Sequence, residues 1–359
     1  MHWKSAVVTA ALATLAVATP AGAGTNAVPA GFAPSSTSWL TAAHGFVLGY
    51  GSDHQRPALL ETWDGGGSWH RLGAPDVPLP DNHDQVSVSF GNLLFGVISD
   101  GSHVYSTLDH GARWQQMSIV DAPKGRNQIL KAVSYGGHFY AIVSGATSSG
   151  QGNSVGLYSA PIWSHELRPV SGIRFAGDTT GDISTKGGLA VTLGGDAGFT
   201  AKYWTSRDGT RFIPAAAPCE YSFAPALGGT VQGQQYALCT GDSGWSKSTK
   251  RVARTGSDGE FHRVGNEAPR MGFSGGIGVA SGTTSVVAAA AADNVWLYGT
   301  FDGGKTWSTV LQTQPDRPIG DLSFSTARVG TVVIGAPDWG PAALYRTTDG
   351  GHTWNPLTF

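Results

Sequence analysis

Two carboxylates and a histidine within four residues form the densest group of potentially reactive side chains in this sequence. Asp81, His83 and Asp84 lie in the segment PDVPLPDNHDQ, residues 75–85. Carboxylate oxygens at this spacing could bind a structural Ca²⁺, and two carboxylates in a dry site could act as acid and base. A solvated loop with ordinary charges is the simpler interpretation. His83 has no partner at the spacing of a known zinc motif, so no zinc site is predicted.

Other polar and aromatic side chains stand in segments with the composition of loops. Three arginines each lie in another segment that would connect two strands. Two tryptophans and two aspartates lie in loops elsewhere in the chain. These candidate ligand-binding residues are Arg126, Arg270, Arg317, Trp245, Trp339, Asp53 and Asp338. Charged groups beside aromatic rings suit a sugar or a peptide, provided that the fold brings the segments together.

A repeated turn motif shows how the chain is organised. Four segments fit Ser/Thr-x-Asp-x-Gly-x-x-Trp, for example TFDGGKTW at 300–307, and two shortened forms end on Phe. Their aspartates are Asp64, Asp109, Asp208, Asp258, Asp302 and Asp349. The spacing is about 47 residues, except for one gap of twice that length. A unit that has lost its Asp is therefore expected near residue 158, which makes seven units.

Each unit reads as about four short strands, because period-2 patterning and turn residues precede every motif. Four-stranded units repeated seven times, with no helical period between them, predict one all-β, seven-bladed β-propeller with a degenerate third blade. Within the motif, the Asp can accept backbone N–H groups of its own turn, Gly permits positive φ, and the aromatic ring packs between sheets. We therefore interpret the repeated aspartates as structural.

This topology separates two faces of the predicted propeller. The motif joins the third and fourth strands of each blade, on the same face as the turns between the first and second strands. The connections between blades and the loops between second and third strands lie on the opposite face. All the candidate ligand residues fall there, so the opposite face is where we expect a site.

The N-terminal segment predicts export. Residues 1–23 combine Lys4, the apolar stretch AVVTAALATLAVA and the Ala21-Gly22-Ala23 cleavage pattern of a signal peptide. No later apolar run approaches the roughly 18 residues of a membrane helix. We assign 1–23 to a signal peptide, 24–35 to an N-terminal extension and 36–359 to the propeller. A net charge of −2 does not favour nucleic-acid binding.

An exported chain permits a disulfide between the two cysteines. The midpoint between Cys219 and Cys239 falls in LGGT, residues 227–230, which is a good hairpin turn signal. A hairpin centred there would place the two cysteines opposite each other, so the sequence predicts a structural bridge in the fifth blade. Two free buried thiols are the alternative.

On its four full motifs, the sequence resembles the Asp-box (BNR-repeat) propellers of the sialidase-like superfamily, over roughly residues 36–358. That superfamily includes sialidases, xyloglucanases, sortilin-type receptors and a photosystem II assembly factor, so the resemblance implies a fold rather than one activity. Sialidases carry a Phe/Tyr-Arg-Ile-Pro motif before the first box, and residues 36–61 contain none. Glu220 and Tyr221 are sequence neighbours, which opposes their cooperation as a nucleophile pair.

Two functional hypotheses remain. The first is a secreted, extracellular and monomeric propeller without catalysis, which binds a glycan or an extracellular protein through the face opposite the Asp-containing turns. The alternative is a sialidase-like glycoside hydrolase whose active site has diverged. A hydrolase needs two carboxylates about 5–10 Å apart, which distinguishes the two.

Overall fold

The computed structural model describes residues 27–76, 86–146, 153–177, 179–195, 201–219, 225–242, 244, 246–291, 294–314, 318–336 and 342–359. The predicted signal peptide, 1–23, lies outside these residues. Within them the chain forms strands and no helices, arranged as seven four-stranded antiparallel sheets. The predicted seven-bladed propeller is confirmed.

The first four blades occupy the first 215 residues, and their strands follow in chain order from the inside outwards. Blade 1 contains β1 (Ala33–Trp39), β2 (Gly45–Tyr50), β3 (Pro57–Thr62) and β4 (His70–Leu72). Blade 2 contains β5 (Val86–Phe90), β6 (Gly96–Asp100), β7 (Val104–Thr107) and β8 (Gln115–Gln116). Blade 3 contains β10 (Lys124–Tyr135), β11 (His138–Ala146), β12 (Asn153–Pro161) and β13 (Glu166–Ala176), and β9 (Ser118–Ile119) pairs with β13 in parallel. Blade 4 contains β14 (Thr179–Ser184), β15 (Leu189–Gly195), β16 (Lys202–Ser206) and β17 (Ile213–Ala215).

The last three blades follow the same order. Blade 5 contains β18 (Ala226–Val231), β19 (Gln234–Asp242), β20 (Ser248–Thr255) and β21 (Phe261–Arg263). Blade 6 contains β22 (Phe273–Val279), β23 (Ser285–Ala291), β24 (Asn294–Thr300) and β25 (Ser308–Thr313). Blade 7 contains β26 (Ile319–Phe324), β27 (Gly330–Ile334), β28 (Ala343–Thr347) and β29 (Asn355–Pro356). The unit predicted near residue 158 is thus a complete blade that lacks only the Asp-containing turn.

The core lies between neighbouring blades, because the second and third strands are buried on both faces. All residues of β2, β3 and β6 are buried, whereas β5 alternates between buried and half-buried positions. Short apolar runs such as GFVLGY therefore form these strands, and burial of their Val, Leu, Ile and aromatic side chains is the main stabilising contribution.

The innermost strand of each blade has one unpaired edge, and side chains of the preceding blade cover several of its N–H groups. Ser36 Oγ accepts the N–H of Val88 at 3.0 Å, and Ser89 Oγ accepts that of Ser134 at 3.2 Å. Carboxylates perform the same role elsewhere: Asp182 Oδ2 accepts the N–H of Leu227 at 2.7 Å. Since an unpaired strand edge is both unsatisfied and open to aggregation, this ring of acceptors is part of the fold.

The ring closes through side chains rather than through a shared strand. Asp321 Oδ2 in β26 accepts the backbone N–H of Thr37 in β1 at 2.7 Å and the hydroxyl of Ser36 at 2.5 Å. On the outside, Trp69 Nε1 donates to the carbonyl of Thr358 at 3.0 Å, and its ring lies 4.9 Å from that of Phe359. Blades 1 and 7 are therefore joined at both their inner and their outer ends.

The chain start differs from the prediction in its details. Strand β1 begins at Ala33, so the first blade starts three residues earlier than residue 36. Ala33 and Pro34 pair with Tyr50 and Gly49 in blade 1.

Replacement of Asp321 by alanine is expected to lower the free energy of unfolding by about 1–3 kcal/mol, since it removes the acceptor for two donors at the closing contact. Asp321→Asn keeps a side-chain oxygen and should cost less than half as much. Urea denaturation of both variants tests this expectation. Equal losses in the two variants would show that the acceptor oxygen is not what stabilises the closure.

The predicted disulfide is confirmed, although its setting differs from the predicted one. Cys219 and Cys239 are bonded, with their Cα atoms 5.6 Å apart. The β18–β19 hairpin turns at Gln232 and Gly233, and the predicted turn at 227–230 is wrong because Gly228 is the extra, unpaired residue of a β-bulge. Cys219 precedes β18, so the bridge ties the connection from blade 4 to β19. Such a bond is typical of oxidising compartments.

Loss of this bridge should lower the free energy of unfolding by about 2–3 kcal/mol, because the bond closes a short loop in the unfolded chain. The comparison is chemical denaturation of the wild type and of the Cys219→Ser/Cys239→Ser variant, each with and without reductant. Reductant should destabilise the wild type alone. A variant as stable as the oxidised wild type would contradict the expected contribution.

Candidate binding channel

The Asp-containing turns form networks of hydrogen bonds within themselves. Asp302 Oδ1 accepts the hydroxyl of Thr300 and the backbone N–H of Thr306, each at 3.0 Å, while the Thr300 hydroxyl accepts the N–H of Gly304 at 2.8 Å. The same arrangement recurs at the turns of Asp64, Asp109 and Asp349. The carboxylates are thus committed to their own turns, on what we call the turn face.

The tryptophans of these turns also bind neighbouring blades. Trp114 Nε1 donates to the carbonyl of Gly73 at 2.9 Å, and Trp307 Nε1 donates to that of Asn266 at 3.2 Å. In each case the acceptor lies just after the preceding blade. Trp354 differs, because its indole donates to Gly351 within its own turn.

These turns should make the fold sensitive to acid. Hydrogen bonds from Thr306 lower the pKa of Asp302 to about 2, and hydrogen bonds from Thr353 outweigh burial and lower the pKa of Asp349 to about 2. Because both pKa values lie below those of the unfolded chain, their contribution is complete above about pH 4 and is lost as the pH falls through about 2. Denaturation between pH 5 and 2 should show falling stability, and Asp302→Asn/Asp349→Asn should flatten the slope. An unchanged slope would contradict this.

Most candidate ligand residues of the opposite face, here called the loop face, lie outside the described residues. This applies to Asp81, His83, Asp84, Trp245, Arg317, Asp338 and Trp339. The structure places the backbone of Arg126 in β10. Their predicted convergence therefore stays a prediction.

Two candidates have described side chains, and neither lines either part of the axial channel described below. Asp53 is exposed in the β2–β3 loop, where its Oδ1 accepts the N–H of Gln55 at 3.3 Å. Arg270 Nη2 lies 3.0 Å from the Glu267 carboxylate, which also binds Arg251 at 2.7 Å. Arg270 is thus held by an exposed ion-pair network on the loop face, of a kind that contributes little to stability.

A channel runs along the propeller axis, lined by the inner strands of the blades. Its turn-face part has a volume of about 470 Å³ and is lined by the ends of the seven inner strands. A smaller part of about 190 Å³ lies towards the loop face, between the starts of β1, β5 and β26, the middle of β10 and the residues just after β27. Ser87, Lys131 and Asp321 line both parts, so they stand near the middle of the channel.

Three charged side chains meet in this middle section. Lys131 Nζ lies 2.7 Å from Asp182 Oδ1, between blades 3 and 4. Burial lowers the pKa of Lys131, but the Asp182 carboxylate outweighs it and the net shift is upward. Burial raises the pKa of Asp321 despite hydrogen bonds from Ser36 and Thr37. The Lys131 ammonium in the channel therefore has a hydrogen-bonded carboxylate neighbour, Asp182, and a second carboxylate nearby, Asp321, whose raised pKa makes it less readily ionised.

Sequence reasoning missed these channel residues, although a signal was present. The inner strands of blades 4 and 7 contain GDIS at 181–184 and GDLS at 320–323, at equivalent positions of the repeat. A charged residue recurring in an inner strand is unusual and could have pointed to the axis. The turn motifs drew attention instead because they are longer and more regular.

A buried lysine supports the connection that carries Arg270. Lys250 is fully buried in β20, and its Nζ donates to the carbonyls of Ser248 (3.1 Å), Pro269 (3.2 Å), Arg270 (3.0 Å), Met271 (3.2 Å) and Gly272 (2.5 Å). Burial lowers the pKa of Lys250 to about 8. The ammonium thus fixes residues 269–272 against blade 5.

A carboxylate shared by two histidines lies under the turn face between blades 1 and 2. Glu61 Oε1 accepts hydrogen bonds from His44 Nε2 at 2.8 Å and His110 Nε2 at 2.7 Å. His44 also stacks on Trp63, with ring centroids 3.6 Å apart. Burial raises the pKa of Glu61, but the two histidines outweigh it and the net shift is downward.

No group of three His, Cys, Asp or Glu side chains suited to a metal ion occurs within the described ranges. Asp81 and Asp84, the predicted Ca²⁺ ligands, lie outside those ranges. Across the part of the chain that the structure describes, no helix has the length and apolarity to cross a membrane.

Comparison with known proteins identifies the fold. No protein-family model and no curated protein sequence matches the chain. YCF48 from Cyanidioschyzon merolae aligns with a TM-score of 0.55 and 14% identity, over 90% of this chain and 97% of that chain. A polysaccharide lyase, PL25 ulvan lyase, bound to -[GlcA(1-4)Rha3S]-, aligns with a TM-score of 0.57 and 11% identity, over 93% and 95%. A puromycin-hydrolysing peptidase of Mycobacterium tuberculosis aligns with a TM-score of 0.57 and 14% identity, over 92% and 56%. At these identities, what the chain shares with them is the propeller fold.

Proposed function

We propose that this protein is a secreted, non-catalytic propeller that binds a glycan through its loop face. The observation that carries the proposal is the part of the channel towards that face, which is lined by Lys131, Asp321, Ser35 and Ser87; the buried hydroxyl oxygens of the two serines have no hydrogen-bond partner among the described residues. Hydroxyl, ammonium and carboxylate groups around one concave opening are suited to the hydroxyl groups of a sugar.

The existing hydrogen bonds and the ion pair of the channel carboxylates favour a binding function over hydrolysis. Asp182 is engaged by Lys131 and by the N–H of Leu227, and Asp321 is engaged by Ser36 and Thr37. A glycoside hydrolase needs one carboxyl group that can donate a proton to the substrate and a second that can attack or activate water. Groups that already hold neighbouring blades together are poorly placed for either task.

Three further features support parts of the proposal. The hydrogen-bonded turns of Asp64, Asp109, Asp302 and Asp349 support membership of the Asp-box propellers and the sialidase-like superfamily. The disulfide and the N-terminal apolar segment support secretion. The likeness to an ulvan lyase bound to a saccharide supports a glycan as the ligand, since propellers of this shape include one that accommodates such a chain.

The proposal is tested with the secreted protein on a glycan array and on a panel of fluorogenic glycosides. We expect saturable binding to a defined set of glycans, no turnover, and weaker binding by Asp81→Ala/Asp84→Ala. Glu260→Ala, an exposed acid next to the turn of Asp258, is the matched control and should bind as the wild type does.

Each other outcome has a definite meaning. Turnover of any glycoside would overturn the non-catalytic assignment in favour of the diverged hydrolase. No glycan binding, together with specific capture of an extracellular protein, would overturn the ligand class. Binding that the Asp81→Ala/Asp84→Ala variant retains in full would place the site elsewhere.

A further inference from the structure

We propose that the turn-face end of the channel is a binding site for a small anion carrying a carboxylate or a sulfate group, with Lys186 as the residue that binds the charge. This site lies at the other end of the axis from the proposed glycan site. Its key residue, Lys186, takes no part in that proposed site, although Lys131 and Asp321 line both parts of the channel.

Lys186 is an unusual lysine in its position. It lies in the β14–β15 turn of blade 4, is half-buried, and lines the larger part of the channel. Its Nζ donates to the carbonyl of Val279, at the end of β22 in blade 6. The side chain therefore passes the inner end of blade 5 and reaches over the channel rather than out into solvent.

Among the described residues, the ammonium of Lys186 has no acidic partner. Within the described ranges, Lys186 takes part in no ion pair, and burial lowers its pKa to about 8. Removing an ammonium from water costs free energy unless a counter-charge compensates it, and a single carbonyl compensates only in part. A charge that the fold leaves uncompensated beside a cavity is a functional-site candidate with a physical reason.

The cavity itself favours an anion. Its described charged lining consists of Lys186, Lys131 and Asp321, and burial raises the pKa of Asp321. Because Lys131 is paired with Asp182, Lys186 supplies the uncompensated positive charge of this lining. The wall also includes Ser184 and Ser323 at the strand ends. Hydroxyl donors around an ammonium are what a carboxylate or sulfate group needs to satisfy its oxygens.

The size of the cavity limits the ligand. About 470 Å³ lies within the range of roughly 300–1,000 Å³ that small-molecule sites occupy. An ion alone would leave most of this volume to water, whereas an acidic monosaccharide would fill more of it. We therefore expect a ligand that carries the anionic group on a ring or a short chain.

The test measures binding of sodium glucuronate, sodium sulfate and uncharged glucose to the full protein by calorimetry. We expect saturable binding of glucuronate, weaker binding of sulfate and none of glucose. Lys186→Met should weaken glucuronate binding at least tenfold. Lys305→Met removes an exposed lysine from the turn of Asp302 and should leave binding unchanged.

A measurement on the wild type keeps the test decisive if Lys186→Met does not fold. The pKa of the Lys186 ammonium, followed by NMR, should rise when glucuronate is added, because the anion supplies the missing counter-charge. Lys131 and Asp321, which face the same cavity, should be followed in the same titration. No saturable anion binding, or an unchanged pKa of Lys186 at saturation, would overturn the proposal. Tight sulfate binding with no preference for glucuronate would overturn the expected ligand size.

Discussion

The Lys250→Met variant is expected to lose about 2–4 kcal/mol in the free energy of unfolding, because the carbonyl oxygens that converge on the buried ammonium would lose its hydrogen bonds. Methionine matches the lysine stem in shape, so the loss reports the ammonium and not a cavity. Lys247→Met, at an exposed position three residues earlier, is the matched control and should change stability by less than about 0.5 kcal/mol. Urea denaturation of the three proteins measures the difference.

The pH dependence of the same variant provides a second readout. The pKa of Lys250 is about 8 in the folded protein, below the roughly 10.4 of an unfolded lysine. Between these values the unfolded chain binds more protons, so the free energy of unfolding rises with pH from about 8 to 10. Lys186 contributes in the same direction. The wild type should therefore gain more stability than Lys250→Met over this window, and parallel profiles would contradict a buried ammonium at position 250.

Replacement of Glu61 by alanine should cost about 3–5 kcal/mol, because it leaves two enclosed histidines without their shared acceptor and opens a cavity. Glu61→Gln is the matched control. Both histidines bond to the same oxygen, Oε1, so the amide can keep both hydrogen bonds while losing the charge. We expect the Gln variant to lose about 1–2 kcal/mol.

The Glu61 variants are compared by thermal and urea unfolding at neutral pH. Acid should reduce the advantage of the wild type, since the pKa of Glu61 is lowered in the folded protein and its contribution is lost as the pH falls through that pKa. A Glu61→Ala variant within about 1 kcal/mol of the wild type would show that the histidines find other acceptors.

The sequence predicted those features that depend on residues close together in the chain. The turn of Asp302 uses residues 300 to 306, so its motif is visible in one short segment and its spacing counts the blades. The Cys219–Cys239 pairing was predictable because only two cysteines exist. The hairpin turn was placed wrongly at 227–230, since the glycines there serve a bulge, and a bulge and a turn have the same composition.

The candidate site was predicted much less well. The loop face was favoured as the binding face because its segments do not repeat. Most of the residues selected there lie outside the described structure. The larger part of the channel opens instead near the turn face, beside Lys186. The residues at its centre were overlooked because a charged side chain within a strand indicates a solvent-facing position as long as the position of the propeller axis is unknown.

The sequence by itself thus determined the class of fold, the number of blades, the structure within each turn and the presence of one disulfide. Only the tertiary structure decided which side chains line the axis and how the ring closes. Lys131 and Asp182 are 51 residues apart, and Ser36 and Asp321 are 285 apart. The physical reason is that hydrogen bonds within a hairpin follow from local geometry, whereas contacts across the axis depend on how all seven blades are rotated against one another.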